Sequence, residues 1–120
     1  RSYTILASLF DIGFGLFHLA FWRLFGWPAT LVGSGKINAA VTQTLNAMLT
    51  YCFFAYALAL IWSTTEEHSP LLALAGAGFW LLRAALQPLL FSARHRLSVA
   101  MTILFLAGAA LHTAAGLAPS

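Results

Sequence analysis

Charged residues are scarce in this 120-residue chain: they make up 8% of the sequence, against about 25% in soluble proteins. Hydrophobic residues reach 61% and the mean hydropathy is +0.85. A soluble fold with this composition would have too little polar surface to cover itself. The composition therefore predicts an integral membrane protein, and the length corresponds to one domain.

Cysteine is almost absent as well. Cys52 is the single cysteine, so neither a disulfide framework nor a Cys-x-x-Cys redox pair can form within the chain. This excludes the quinone-linked thiol oxidoreductases that also use small helical membrane bundles. The basic residues form no face interleaved with aromatic residues, so we expect no nucleic acid partner.

Apolar runs fill most of the chain, in segments of about 3–22, 37–62, 70–92 and 97–117. Each is long enough to span a bilayer, and only helices satisfy their backbone there without closing a barrel. Because the connections are short, sequential helices should pack antiparallel. We predict an all-α, antiparallel bundle of four transmembrane helices in a single domain over 1–120. The first segment contains Asp11 and His18 and lacks a cleavage-site pattern, so we expect a membrane helix there and not a signal peptide.

The positive charges predict the orientation. Arg23 and Lys36 flank the first connection and Arg94 and Arg96 lie in the third, whereas the second carries two glutamates and no Lys or Arg. By the positive-inside rule the first and third connections are cytoplasmic. We therefore expect a bacterial inner-membrane protein with both termini on the periplasmic side.

Arg83 is the only formal charge in the third apolar run. A charge near the middle of a membrane helix is costly unless it is paired, hydrated or turned toward the bundle interior. Four residues could compensate it: the acid Asp11, as its buried charge partner, and the amides Gln43, Asn46 and Gln87.

Polar and small residues recur at spacings of three and four in every segment, which places them on one helical face. The stripes are Asp11, Gly15, His18 and Trp22; Ala39, Gln43, Asn46 and Thr50; Gly76, Trp80, Arg83 and Gln87; and Ser98, Thr102, Phe105, Ala109 and His112. Polar side chains facing lipid are costly, so we predict that the stripes converge in the interior.

The helical rise predicts two polar layers. At about 1.5 Å per residue, His18, Gln43, Asn46, Arg83, Gln87 and Thr102 lie roughly 7–15 Å from the cytoplasmic face, and Asp11, Thr50 and His112 roughly 18–22 Å. The candidate ligand pocket opens toward the cytoplasm and consists of Arg83, His18, Gln43, Asn46 and Gln87, whereas a secondary polar layer consists of Thr50, Thr102 and His112. The same residues also have a packing interpretation, as a register-fixing ion pair and as interhelical hydrogen bonds.

Metal and cofactor sites are not indicated. His18 and His112 differ in depth by roughly 12 Å, too far to ligate one ion or one haem iron. The sequence contains no His-x-x-x-His motif, no phosphate loop and no helix-borne carboxylate pair. We predict no metal and no cofactor; the cationic, amide-rich pocket suits an anionic or carbonyl-bearing amphiphile such as a lipid, a quinone or a thiolate cosubstrate.

Two resemblances bear on function. One set of residues consists of the run His18-Leu19-Ala20-Phe21-Trp22, then Asn38 with Gln43 and Asn46, then Phe79-Trp80-Leu81-Leu82-Arg83 with Gln87. This set resembles a family of small bacterial four-helix membrane proteins, which implies a topology but no activity. The layout is also similar to the membrane-associated proteins of eicosanoid and glutathione metabolism (MAPEG). That resemblance implies a cytoplasm-facing thiol site, with Gln43 and Asn46 where the family has Asn and Glu. The family's Arg in the second helix is missing, and Leu86 stands in place of its His.

Three functional hypotheses follow. The first is a membrane protein that binds an amphipathic ligand beside Arg83. The second is a glutathione- or lipid-modifying enzyme in which Arg83 stabilises an anion and His18 acts as acid or base. The third is an accessory or scaffold subunit of a larger membrane complex. Small residues on several faces (Gly13, Ala73, Ala77 and Gly108) further predict a homo-oligomer or a partner subunit, besides membrane lipid.

The proposed pairing of Asp11 with Arg83 makes a testable prediction. If the two form a buried pair, Asp11→Ala destabilises strongly and the added Arg83→Leu recovers much of the loss, because the unpaired charge is removed. A double-mutant cycle of unfolding free energies should then give a coupling well above about 0.5 kcal/mol, the scatter of independent sites. Smaller coupling would contradict the ion pair.

Overall fold

The structure is a computed structural model that describes residues 2–64, 70–90 and 96–117. Over these residues the regular elements are helical and no strand occurs. They are α1 (Ser2–Leu19), α2 (Phe21–Leu24), a 3-10 helix (Ala29–Ser34), α3 (Lys36–Trp62), α4 (Pro70–Leu90) and α5 (Arg96–Leu117). Four of them, α1, α3, α4 and α5, are long and apolar enough to cross a membrane. The predicted all-α class is confirmed, and the four spans fit an integral membrane protein.

The first predicted segment is interrupted. The helix expected over 3–22 ends at Leu19, and the four-residue α2 follows after Ala20. The amide of Ala20 lies 3.1 Å from the carbonyl oxygens of both Leu16 and Phe17, which is the tightening that often closes a helix. The other three spans begin within one residue of the predicted positions. Residues 91 and 92, predicted as the end of the third helix, lie outside the described residues.

Glycine allows the turn that leads into α3. Gly35 adopts φ +97°, a left-handed conformation that side chains other than glycine rarely take. Its amide donates to the carbonyl of Val32 at 3.2 Å and ends the 3-10 helix. Its own carbonyl accepts from the amide of Ala39 at 2.9 Å, which starts α3.

The chain divides into two compact units. The N-terminal unit is Leu9–Ala59, and the C-terminal unit is Arg1–Ser8 with Leu60–Ser120. In the N-terminal unit α1 and α3 run antiparallel, because Phe14 contacts Phe53 whereas His18, further along α1, contacts the earlier Asn46. Their close approach depends on Gly15, where an added Cβ would lie 2.8 Å from the ring of Phe54.

In the C-terminal unit α4 and α5 also run antiparallel. Gln87, near the end of α4, bonds Ser98 near the start of α5, and Trp80 stacks on Phe105 in the middle. At the opposite end Leu74 packs against Gly116. Large apolar side chains such as Leu82, Leu89 and Leu97 are exposed on the outer faces, which is the surface expected of helices in contact with lipid.

Burial follows the predicted stripes. The buried members are Asp11, Gly15, Asn46, Thr50, Gly76, Trp80, Gln87, Ser98, Phe105, Ala109 and His112, and the half-buried ones are His18, Trp22, Ala39, Gln43, Arg83 and Thr102. Convergence of all four stripes on one pocket stays a prediction. Two of the small residues assigned to an oligomer face, Ala73 and Gly108, are instead buried within the chain, so they cannot lie on a free surface for a partner.

Candidate functional site

Asn46 binds His18 at two points in the N-terminal unit. Its side-chain amide donates from Nδ2 to the main-chain carbonyl of His18 at 2.7 Å, and its Oδ1 lies 2.7 Å from Nδ1 of the His18 ring. His18 belongs to the last turn of α1, where main-chain carbonyls lack a partner within the helix. Asn46 therefore caps the end of α1 and orients the imidazole with the same amide group.

Gln43, one turn earlier on α3, has a different role. Its Oε1 accepts a hydrogen bond from the indole Nε1 of Trp22 at 3.0 Å, and its Nε2 donates to the carbonyl of Ala39 at 3.2 Å. Both ends of this amide are engaged with the chain itself. Thr50 likewise bonds its own helix, donating to the carbonyl of Asn46 at 2.8 Å. Gln43 thus makes a hydrogen bond between two helices, whereas the Thr50 bond lies within α3.

Arg83 rests on an aromatic platform in the C-terminal unit, formed by Phe105 and Trp80. Its guanidinium carbon Cζ lies 4.3 Å from the centroid of the Phe105 ring. Phe105 in turn stacks on Trp80, with centroids 5.8 Å apart and planes 14° apart. A cation above an aromatic face is attracted by the ring quadrupole, more strongly where water is excluded. The platform therefore holds the charge of the arginine in the middle of an apolar helix.

Gln87 lies one turn beyond Arg83 on the same face of α4. Its Nε2 donates to the hydroxyl of Ser98 at 3.0 Å. Its Oε1 is buried and finds no hydrogen-bond partner among the described residues. Buried polar atoms without a partner are few in folded proteins, and each calls for an explanation, a bound water or ion among them.

The remaining predicted residues are buried or make a hydrogen bond within their own helix. Thr102 donates to the carbonyl of Ser98 at 3.0 Å, and His112 donates from Nδ1 to the carbonyl of Gly108 at 2.7 Å, both within α5. Asp11 is 1% exposed. Over the described ranges no group of three or more His, Cys, Asp or Glu could hold a metal ion.

The predicted residues thus fall into two groups. His18 and Asn46, with Gln43 on the neighbouring turn, belong to the N-terminal unit; Arg83 and Gln87 share a face of α4 in the C-terminal unit. In the C-terminal unit two partners were not foreseen as site residues, the Phe105 ring and the Ser98 hydroxyl. Both residues belong to the stripe predicted on α5, so their spacing was the sequence signal that could have identified them. Aromatic rings and serines are so common in membrane helices that spacing alone does not single them out.

Comparison of the chain with protein-family models, with curated proteins and with solved structures gives no match. The resemblances drawn from the sequence therefore stay predictions.

Proposed function

We propose that this is a small membrane protein that binds the polar head of an amphipathic ligand at Arg83, with the apolar tail of the ligand lying along the helices. The observation that carries the proposal is the position of the guanidinium, 4.3 Å above the Phe105 ring. A guanidinium attracts a ring face through its charge, and it carries its N–H donors in its own plane, where they bond oxygen acceptors. Arginine is well suited to hold a phosphate or carbonyl oxygen in this way.

Gln87 favours a head group that carries a hydrogen-bond donor as well as the acceptor oxygen for Arg83. Its buried Oε1 is an acceptor and calls for a donor such as a hydroxyl. Because Gln87 follows Arg83 by one helical turn, one head group can reach both side chains. An anionic phospholipid with a hydroxylated head group has both functions, and so has a partly reduced quinone.

Ligand loss on mutation tests the proposal. We expect Arg83→Leu to retain about 10- to 100-fold less ligand than the wild type, since hydrogen bonds to a charged group contribute about 1.5–3 kcal/mol. The measurement is mass spectrometry of the lipids and quinones that co-purify in a mild detergent.

Arg96→Leu is the matched control, because it removes the same charge from an exposed position at the start of α5. It should retain the ligand. Equal retention by Arg83→Leu and wild type, with both proteins folded by circular dichroism, would contradict ligand binding at Arg83.

The membrane orientation is part of the proposal. The excess of Lys and Arg in the first and third connections supports periplasmic termini and a pocket that opens toward the cytoplasm. A reporter enzyme that works only in the periplasm should be active when it is fused after Ser120. If instead a reporter that works only in the cytoplasm is active at the same position, the proposed orientation is wrong, and the depth order of the two polar layers is reversed with it.

A further inference from the structure

Helix α4 contains a proline in its last turn. Pro88 has no main-chain N–H, so it cannot donate the helical hydrogen bond to the carbonyl oxygen of Ala84. Ala84 is buried, with 4% of its surface exposed. Buried carbonyl groups in folded proteins are nearly always paired. The Ala84 carbonyl is therefore an acceptor that calls for a donor from outside the helix.

Gln87 places a second acceptor next to this carbonyl. Its Oε1 is buried and has no hydrogen-bond partner among the described residues, because Nε2 is the atom that meets Ser98. Gln87 follows Ala84 by three residues, so the two share a face of α4. Helical side chains tilt toward the N-terminus, which brings the amide back over the turn of Ala84. A buried side-chain acceptor without a partner and a carbonyl without its helical donor therefore lie together on α4.

The surroundings determine which donor fits the two acceptors. Arg83 precedes Gln87 by one turn on the same face, and its positive charge disfavours an ammonium donor there. The donor is then uncharged, and two hydroxyl groups on adjacent carbon atoms can supply one hydrogen bond to each acceptor. Pro88 itself is exposed, so the acceptor pair lies next to a part of the helix that a lipid head group can approach.

We infer that the Ala84 carbonyl and Gln87 Oε1 together bind a vicinal diol, and that the ligand is a phospholipid with a glycerol head group. The inference rests on the proposed function, because the phosphate of this lipid is the group that Arg83 holds. The diol follows the phosphate in such a head group, as Gln87 follows Arg83 along α4. A reduced quinone carries its hydroxyls on opposite edges of the ring and brings one donor at a time, so it satisfies the pair less well.

Lipid titrations test the inference. Delipidated protein in a mild detergent is titrated with short-chain phosphatidylglycerol and with the same lipid in which both glycerol hydroxyls are methylated. Native mass spectrometry measures the bound fraction. The methylated lipid keeps the phosphate and the acyl chains but has no hydroxyl donor. Wild-type protein should bind the parent lipid about 10- to 100-fold more tightly, the effect of two hydrogen bonds.

Two variants remove one acceptor each. Gln87→Met keeps the length of the side chain without the amide, and Pro88→Ala restores the main-chain N–H that occupies the Ala84 carbonyl. Each should lower the preference for the diol about 3- to 10-fold, the effect of one hydrogen bond. Pro70→Ala is the matched control, because a main-chain N–H at the first residue of α4 has no acceptor within the helix. It should keep the full preference.

Three results would overturn the inference. Equal binding of the two lipids by the wild type, still weakened by Arg83→Leu, would remove the diol and leave the proposed function standing. Binding of both lipids that does not depend on Arg83 would contradict the proposed function and the inference with it. A full preference for the diol in both Gln87→Met and Pro88→Ala would show that these two acceptors do not bind it.

Discussion

Trp80→Ala should lower the free energy of unfolding by about 3–5 kcal/mol, the usual cost of truncating a buried large aromatic residue. Trp80 is 2% exposed and stacks on Phe105. Its removal leaves a cavity beside α5 and takes away the second layer of the platform beneath Arg83. The measurement is SDS-induced unfolding in mixed micelles, followed by far-ultraviolet circular dichroism.

Phe79→Ala is the matched control for Trp80. Phe79 is the preceding aromatic residue on α4, but it is 43% exposed, so its truncation should cost no more than about 1 kcal/mol. A loss of similar size for both variants would show that Trp80 is not the core residue that its burial indicates. Trp80→Phe should lie between the wild type and Trp80→Ala, because it keeps a smaller ring in the stack.

Gly116→Leu should destabilise the protein by about 1–3 kcal/mol, the typical cost of overpacking. A Cβ at position 116 would lie 2.8 Å from Cγ and Cδ2 of Leu74 and 3.3 Å from the carbonyl oxygen of Pro70. The Leu74 side chain can move aside, but the main-chain carbonyl of Pro70 cannot move without shifting the start of α4. The same SDS titration measures the effect.

Gly78→Leu separates crowding from helix propensity. Gly78 has nothing within 4 Å of an added Cβ, so the substitution should be neutral or stabilising, by up to about 1 kcal/mol, since leucine is the better helix former. Opposite signs at the two glycines are expected. Destabilisation at both positions by the same amount would contradict the close approach of α4 and α5 at Gly116.

The helices and their buried faces were predictable, because both follow from the period of the sequence. Polar residues that face lipid cost free energy, so Ser98 and His112 could be assigned to an interior face. Phe105 shares that face by its spacing. The structure buries all three. Spacing carries no information about partners on other helices, and for that reason the contact of Arg83 with Phe105 was not predicted.

The interruption of the first helix at Ala20 shows a second limit of prediction from the sequence. The sequence from Leu19 to Trp22 is apolar and compatible with a continuous helix, so local preference predicts no stop. The stop coincides with the cap that Asn46 places on the His18 carbonyl, and Asn46 lies 28 residues away in the chain. A tertiary hydrogen bond of this kind leaves no local signature.

The side-chain amides of Gln43 and Asn46 show the same limit of sequence prediction for site residues. Gln43 and Asn46 stand three residues apart on one face of α3 and were equivalent candidates for binding a ligand. In the structure Gln43 is engaged by Trp22 and by Ala39, whereas Asn46 orients a histidine. The difference depends on which side chain each amide meets, Trp22 of α2 for Gln43 and His18 of α1 for Asn46.

The length of α3 has a consequence for the choice of membrane. Its 27 residues extend over about 40 Å, whereas the hydrocarbon layer of a bilayer is about 30 Å thick. Helix α3 must then tilt or project beyond the layer. Thin bilayers increase this mismatch and thick bilayers reduce it, so acyl-chain length should change the tilt of α3.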